Sequence, residues 1–259
     1  MSAAEPDFQI PPVRIVNPAG SSALVLVCEH ASPQIPDCYD HLGLPLEARK
    51  AHIAWDPGAL AVAERLSKRL DATLVAGTLS RLLYDCNRPP DAPGAMPERS
   101  EVFDIPGNIQ LSAEERAARI DGIYAPFHAD VADRLARKSA PVLVTVHSFT
   151  PTFHGHHRSV EIGLLHDSDT RLADAMLNTA AQHNTLSVER NAPYGPDDGV
   201  THTLQRHGLP GNHPNLMIEI RNDLITTQAE QNAMGDMFAQ WITQASRQIE
   251  AAGDIQCSA

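Results

Sequence analysis

The sequence predicts an α/β protein built on a mostly parallel sheet with helices on both faces. Three observations predict it. Short continuous apolar runs alternate with segments of helical periodicity. The runs lack in-and-out alternation, as suits strands buried on both faces. Several of them end on polar residues that packing alone would not select.

Residues 1–22 are rich in Pro, Ser and Gly and read as an irregular lead-in. Ala23–Cys28 (ALVLVC) reads as a buried strand. Pro57–Leu70 carries Leu60, Val62, Ala63, Leu66 and Leu70 at helical spacing. Thr73–Ala76 reads as a short strand and Arg81–Asn87 as another. From Arg88 to Gly107 the chain is loaded with Pro, Gly and Asp, which predicts a long functional loop. Ser112 and Glu115 form a capping box that opens a helix toward Lys138, with a kink or break near Ala125 imposed by Pro126. Pro141–Val146 and Val160–Leu165 are buried strands, followed by a helix over Thr170–Gln182 and a short strand at Leu186–Glu189. Asn215–Ile220 (NLMIEI) is the last strand. Thr227 and Glu230 form a second capping box, opening a helix through Ile249. With no linker in sight, residues 23–252 are expected to form one domain.

The chain has 259 residues, 42% apolar and 20% charged, ordinary for a globular protein. Its net charge of −12 repels phosphate backbones and anionic lipid, which argues against nucleic acid and membrane as partners. A small anionic ligand stays open, because a local Arg cluster can dominate inside a cleft. The four cysteines show no CxxC spacing, and Cys28 and Cys86 lie in apolar segments. That argues against a disulfide framework and for a reducing cytoplasm. The N-terminus lacks the basic start and apolar stretch of a signal peptide, and no apolar run reaches the ~20 residues of a membrane helix. The composition leaves room for a homo-oligomer.

Polar residues recur at the ends of the apolar runs. ALVLVCEH ends on Glu29 and His30, LLYDCNR carries Asp85, Asn87 and Arg88, VLVTVHS ends on His147, and NLMIEIR holds Glu219 and Arg221. Sites in open α/β sheets lie outside the carboxyl ends of the strands, so these groups are expected to converge. Two imidazoles among carboxylates suit a divalent metal, most often zinc, which in a catalytic site takes three protein ligands. His30 and His147 supply two, and Glu29, Asp56 and Asp85 compete for the third place. Glu29 should point to the opposite strand face from His30. Asp56 sits in another loop, although Asp before Pro is also a good helix N-cap. Glu219, acidic inside an apolar strand, reads as a general base, against the alternative of an ion pair with Arg221. Arg88, Arg158 and Arg221 are candidates for binding a substrate carboxylate. His154, His156 and His157 read as a solvent-exposed loop tract, while His128, His202 and His207 keep open roles in orienting substrate or donating to an oxyanion.

The ordered motifs CEHAS, AWDPGA, SRLLYDCNRP, YAPFH, TVHSFTP, NAPYGPDDGVTHT and IEIRNDL make the chain resemble the N-formylglutamate amidohydrolase family. The resemblance covers residues 24–241. It implies a zinc-carboxypeptidase-like three-layer fold with a mixed sheet of about eight strands. It implies zinc held by His30 and His147, a substrate carboxylate held by Asn87 and Arg88, and Glu219 as general base. The wider group usually places a Glu ligand three residues after the first His, where this chain has Pro33; that departure raises Asp56. The implied substrate is a small anionic N-acyl amino acid, N-formyl-L-glutamate, cleaved to formate and glutamate late in histidine breakdown.

Overall fold

The computed structural model describes residues 10–249 and 255–257. Seven strands form the central sheet: β1 (Val13–Val16), β2 (Leu24–Cys28), β3 (Thr73–Gly77), β4 (Val142–Phe149), β5 (Ile162–Leu165), β6 (Val188–Arg190) and β7 (Asn215–Arg221). Their order is β1-β3-β2-β4-β7-β5-β6. The four central strands β3, β2, β4 and β7 run parallel; β1 is antiparallel to β3, and β5 antiparallel to β7. All four carry their carboxyl ends to one edge, and the polar strand ends gather there.

Strand β2 shows how the layers form. Leu24, Leu26 and Cys28 face one core, and Val25 and Val27 face the other. The first core is covered by α1 (Ala59–Leu70) and the long last helix; the second receives Phe127, Val131 and Leu135 from the middle helix. Helix α1 buries Val62, Ala63, Leu66 and Leu70, the stripe its spacing foretold. Its N-cap is Gly58 at φ 83°, not Asp56. Glycine is required there, because a Cβ would stand 2.6 Å from the carbonyl oxygen of Ile225 and φ is left-handed. Asp56 is thereby released from capping and turns its carboxylate toward the sheet edge.

Other expectations are corrected in detail. The lead-in contains β1, an edge strand. Arg81–Asn87 is not a strand but a run of turns in which Leu83 N–H donates to Ser80, Arg88 N–H to Asp85 and Asp85 N–H to Ala95. Leu82 and Leu83 are buried there, so the apolar signal was real while the backbone satisfied itself locally. Pro126 interrupts the helix begun by α2 (Ala113–Arg119) where expected without ending it: a π-turn at Ile120–Tyr124 leads into α3 (Ala125–Ala136). The helix expected over Thr170–Gln182 forms in two pieces, α4 (Arg171–Leu177) and a further turn over Ala180–His183, interrupted where the Thr179 hydroxyl donates to the carbonyls of Ala175 and Met176. The last helix, α5 (Gln228–Gln248), opens on the Thr227–Glu230 capping box and buries Trp241, whose indole N–H donates to Met176.

Candidate active site

The carboxyl ends of β2, β4 and β7, with three loops, enclose a cleft of about 530 Å³. His30 follows β2, His147 lies two residues before the end of the fully buried β4, and Glu219 lies directly opposite His147 in the parallel β4–β7 register. Asp56 arrives on the loop before α1, its N–H donating 2.9 Å to the carbonyl of His30. All four side chains are nearly inaccessible yet line the cleft floor.

His30 Nδ1 lies 3.3 Å and His147 Nδ1 2.9 Å from the same Asp56 oxygen. One ligand atom from each of the three residues lies within 4.8 Å of the others. Donors around a tetrahedral zinc at ~2.0–2.1 Å stand about 3.3 Å apart, so this spacing fits a divalent cation. The outer ring nitrogens both face carboxylates, as those of metal-bound imidazoles usually do. His30 Nε2 is 2.7 Å from Asp85, and His147 Nε2 is 3.0 Å from Glu29. Glu29 therefore reaches the cluster after all, behind the His147 ring. Glu29 and Asp85, both rivals for the third ligand position, meet the rings from outside.

Charge points the same way. Glu29, Asp56, Asp85 and Glu219 surround two imidazoles and one guanidinium, a surplus of negative charge that calls for a cation. Burial opposes ionisation of Asp56, but the His30 charge and hydrogen bonds from both rings outweigh it and hold Asp56 far below the usual carboxylate range. Asp85 is held down against burial in the same way, by His30 and Arg81. Glu219 behaves oppositely: burial pushes it up to about 7. Its Oε2 has no hydrogen-bond partner among the described residues. An unpartnered carboxylate titrating near neutrality is what a general base requires.

Arg81 was not singled out from the sequence. Its guanidinium lies 2.8 Å from Asp85 and 3.5 Å from Asp56, and it lines the cleft. It stood in an apparent strand, where a surface Arg is unremarkable, so no sequence signal marked it.

The other expected residues fall into two groups. Asn87 and Arg88 line the cleft. The Asn87 amide donates to Val200 and accepts from Thr203 N–H, and Arg88 Nη1 donates 2.6 Å to the carbonyl of Asp198. Arg158 and Arg221 stand behind the wall. Arg221 pairs with Asp223 and Glu161, not with Glu219. Arg158 lies among Phe149, Phe153 and Tyr194. His154, His156 and His157 are exposed on a small hairpin. His128 is buried beneath the Asp85–Arg88 turn, with Nε2 2.9 Å from the Cys86 carbonyl and Nδ1 2.7 Å from His207 Nε2. His202 joins the same layer through the Tyr124 hydroxyl, 2.9 Å away.

A mostly parallel sheet that gathers a His–Asp–His cluster and an unpaired carboxylate at its carboxyl edge is the architecture of a hydrolase. The family model for N-formylglutamate amidohydrolases matches residues 22–226. The chain belongs to that family and is an amidohydrolase. It is similar to a gene product of Agrobacterium tumefaciens of known crystal structure, at 51% identity and TM-score 0.91, over 93% of this chain and 97% of that one. It is also similar in fold to N-formylglutamate amidohydrolase from Ralstonia eutropha JMP134, at 20% identity and TM-score 0.63, over 93% of this chain and 98% of that one. No curated protein is significantly similar to it in sequence. No helix among the described residues is long and apolar enough to cross a membrane.

Proposed function

We propose that this enzyme hydrolyses the amide bond of a small anionic N-acyl amino acid, N-formyl-L-glutamate, releasing formate and glutamate in histidine breakdown. The observation that carries the reading is one cleft holding three things together. His30, Asp56 and His147 converge on one point, Glu219 stands beside them, and Asn87 and Arg88 lie on the wall. His30, Asp56 and His147 would hold a divalent cation, zinc by its donor set. Such an ion supplies Lewis acidity for polarising a carbonyl and acidifying water.

The chain's own groups do the rest. Arg88 and Asn87 bind a substrate carboxylate, which fixes the amide over the cluster. Arg81 presents positive charge to the carbonyl oxygen as it gains negative charge. Glu219 takes a proton from the attacking water and returns it to the leaving amine nitrogen. Arg158 and Arg221 support this set from behind the wall. We place the enzyme in the cytoplasm, where the unbridged thiols of Cys28, Cys38 and Cys86 stay reduced.

Metal analysis of purified protein together with formate release from N-formyl-L-glutamate tests the reading. About one zinc per chain, with formate release that chelation abolishes and zinc restores, is expected. Full hydrolysis after complete metal removal would overturn the metal assignment. Formate release from no N-formyl amino acid would overturn the substrate.

A further inference from the structure

Arg158 is a cation enclosed by rings. Its guanidinium carbon stands 4.5 Å from the centre of Phe153, 4.9 Å from that of Tyr194 and 5.5 Å from that of Phe149. Nη1 donates 3.2 Å to the carbonyl of Thr150, and Nη2 donates 2.8 Å to the Tyr194 hydroxyl. Phe149, Thr150, Phe153 and Tyr194 line the cleft, and Arg158 lies behind them. Arginine has no acceptor, so the Tyr194 oxygen must accept. The phenol's own proton is thereby turned away from Arg158.

The fold brings that phenol to the reacting end. Gly163 on β5 is the antiparallel partner of Glu219. A Cβ at Gly163 would overlap the carbonyl oxygen of Ala192, so the backbone leading to Tyr194 lies directly against the strand position beside Glu219. Tyr194 lines the same cleft as Glu219 and Arg81. Burial pushes that hydroxyl up, against the pull of Arg158, so it stays a donor at neutral pH.

We propose that Tyr194 is a further catalytic residue, donating its phenolic hydrogen bond to the carbonyl oxygen of the scissile amide, and that Arg158 positions it. This rests on the amide hydrolysis proposed above. A bond to an oxygen that gains charge strengthens in the transition state, and the guanidinium behind the phenol makes it a stronger donor. The motif NAPYGPDD thus gains a role, and Arg158 acts on substrate only through Tyr194.

The test compares wild-type and Tyr194→Phe zinc-loaded enzyme on N-formyl-L-glutamate. Tyr194→Phe is expected to lower kcat about a hundredfold, in line with loss of one oxyanion donor, with KM within about threefold and the melting temperature unchanged. Unchanged kcat beside an active wild type would overturn the proposal and leave the proposed function standing. A loss confined to KM would overturn it too, by placing the phenol on the ground-state substrate. An inactive wild type would remove both. Arg158→Met is expected to reproduce most of the kcat loss alone and to add nothing in the Tyr194→Phe background. Additive losses would overturn the positioning role. If Arg158→Met does not fold, Tyr194→Phe still decides the catalytic one.

Discussion

Asp85 takes His30 Nε2 at 2.7 Å on one oxygen and Arg81 at 2.8 Å on the other. One carboxylate therefore fixes the tautomer and tilt of a cluster imidazole and the position of the cleft guanidinium. It also accepts from Asn87 N–H at 2.9 Å, which ties the turn bearing the Asn–Arg pair to the same centre.

Asp85→Asn tests that linkage. An amide keeps the volume but replaces a charge-assisted acceptor with a neutral one. Zinc affinity is expected to fall about 10–100-fold, as for other partners of metal-bound imidazoles. Competition with a chromogenic chelator measures it, and excess zinc should restore part of the activity. Unaltered affinity would place Asp85 outside the metal's support.

Glu219→Gln should retain metal and lose nearly all turnover, because the amide cannot accept a proton from water. In wild type, kcat/KM should rise with pH along an acid limb at or below about 7, since a nearby cation lowers the value that burial sets. The sign for stability is opposite. The folded state holds the Glu219 proton up to about 7, above the ordinary glutamate value of 4.5. Between those values the native chain binds more protons than the unfolded chain, so stability falls as pH rises through the window. In chelated protein, Glu219→Gln should therefore gain stability relative to wild type as pH rises from 4.5 to 7 and hold that gain above it. A pH-independent difference in urea midpoints would contradict the burial argument.

Legibility followed burial. A strand buried on both faces admits only apolar residues, so His30, His147 and Glu219 stood out as exceptions at the strand ends. The four central strands were readable for the same reason. Arg81 and Tyr194 sit in turns and loops, where polar residues are ordinary, and what marks them is tertiary: Arg81 reaches Asp56 across 25 residues and Tyr194 reaches Arg158 across 36. Asp56 was readable only as one of two things, helix cap or ligand. Gly58 removes the cap reading by taking that position at a positive φ. Strand β1 escaped notice because four residues flanked by prolines and turns carry little periodic signal. Its pairing energy comes from β3, which the local sequence does not report.

Gly199→Ala should separate substrate binding from chemistry. Gly199 holds φ +68°, and a Cβ there would stand 2.7 Å from Arg88 Nη1. The flexible guanidinium yields before the backbone does, so Arg88 loses its seat on the Asp198 carbonyl. Stability should drop by about 1 kcal/mol, the usual cost of a side chain at positive φ. KM for an anionic substrate should rise about tenfold with kcat changed less than threefold. Steady-state kinetics on N-formyl-L-glutamate checks this, and an unchanged KM would detach Arg88 from the substrate carboxylate.

The histidine layer under the Asp85–Arg88 turn should appear as an acid limit on folding. Burial lowers His128 to about 3, with the neighbouring His207 charge adding to it, and burial likewise lowers His207 to about 4. Both rings are thus neutral in the folded protein at pH 6, and His128 can donate to the Cys86 carbonyl while accepting from His207. The unfolded chain takes up protons near 6.5, so it binds more protons than the native chain below that pH. The stability these neutral rings contribute is complete above 6.5 and lost as pH falls toward 4. His128→Gln keeps an amide donor near the Nε2 position and cannot be protonated, so its loss of stability on acidification should be shallower than that of wild type. His128→Leu leaves the Cys86 carbonyl without its buried donor, so about 1–3 kcal/mol should go above pH 6.5, a deficit relative to wild type that shrinks on acidification because leucine cannot be protonated either. Chemical denaturation between pH 4 and 7.5 distinguishes them. Parallel pH profiles for wild type and His128→Gln would mean that His128 is not held neutral by its burial.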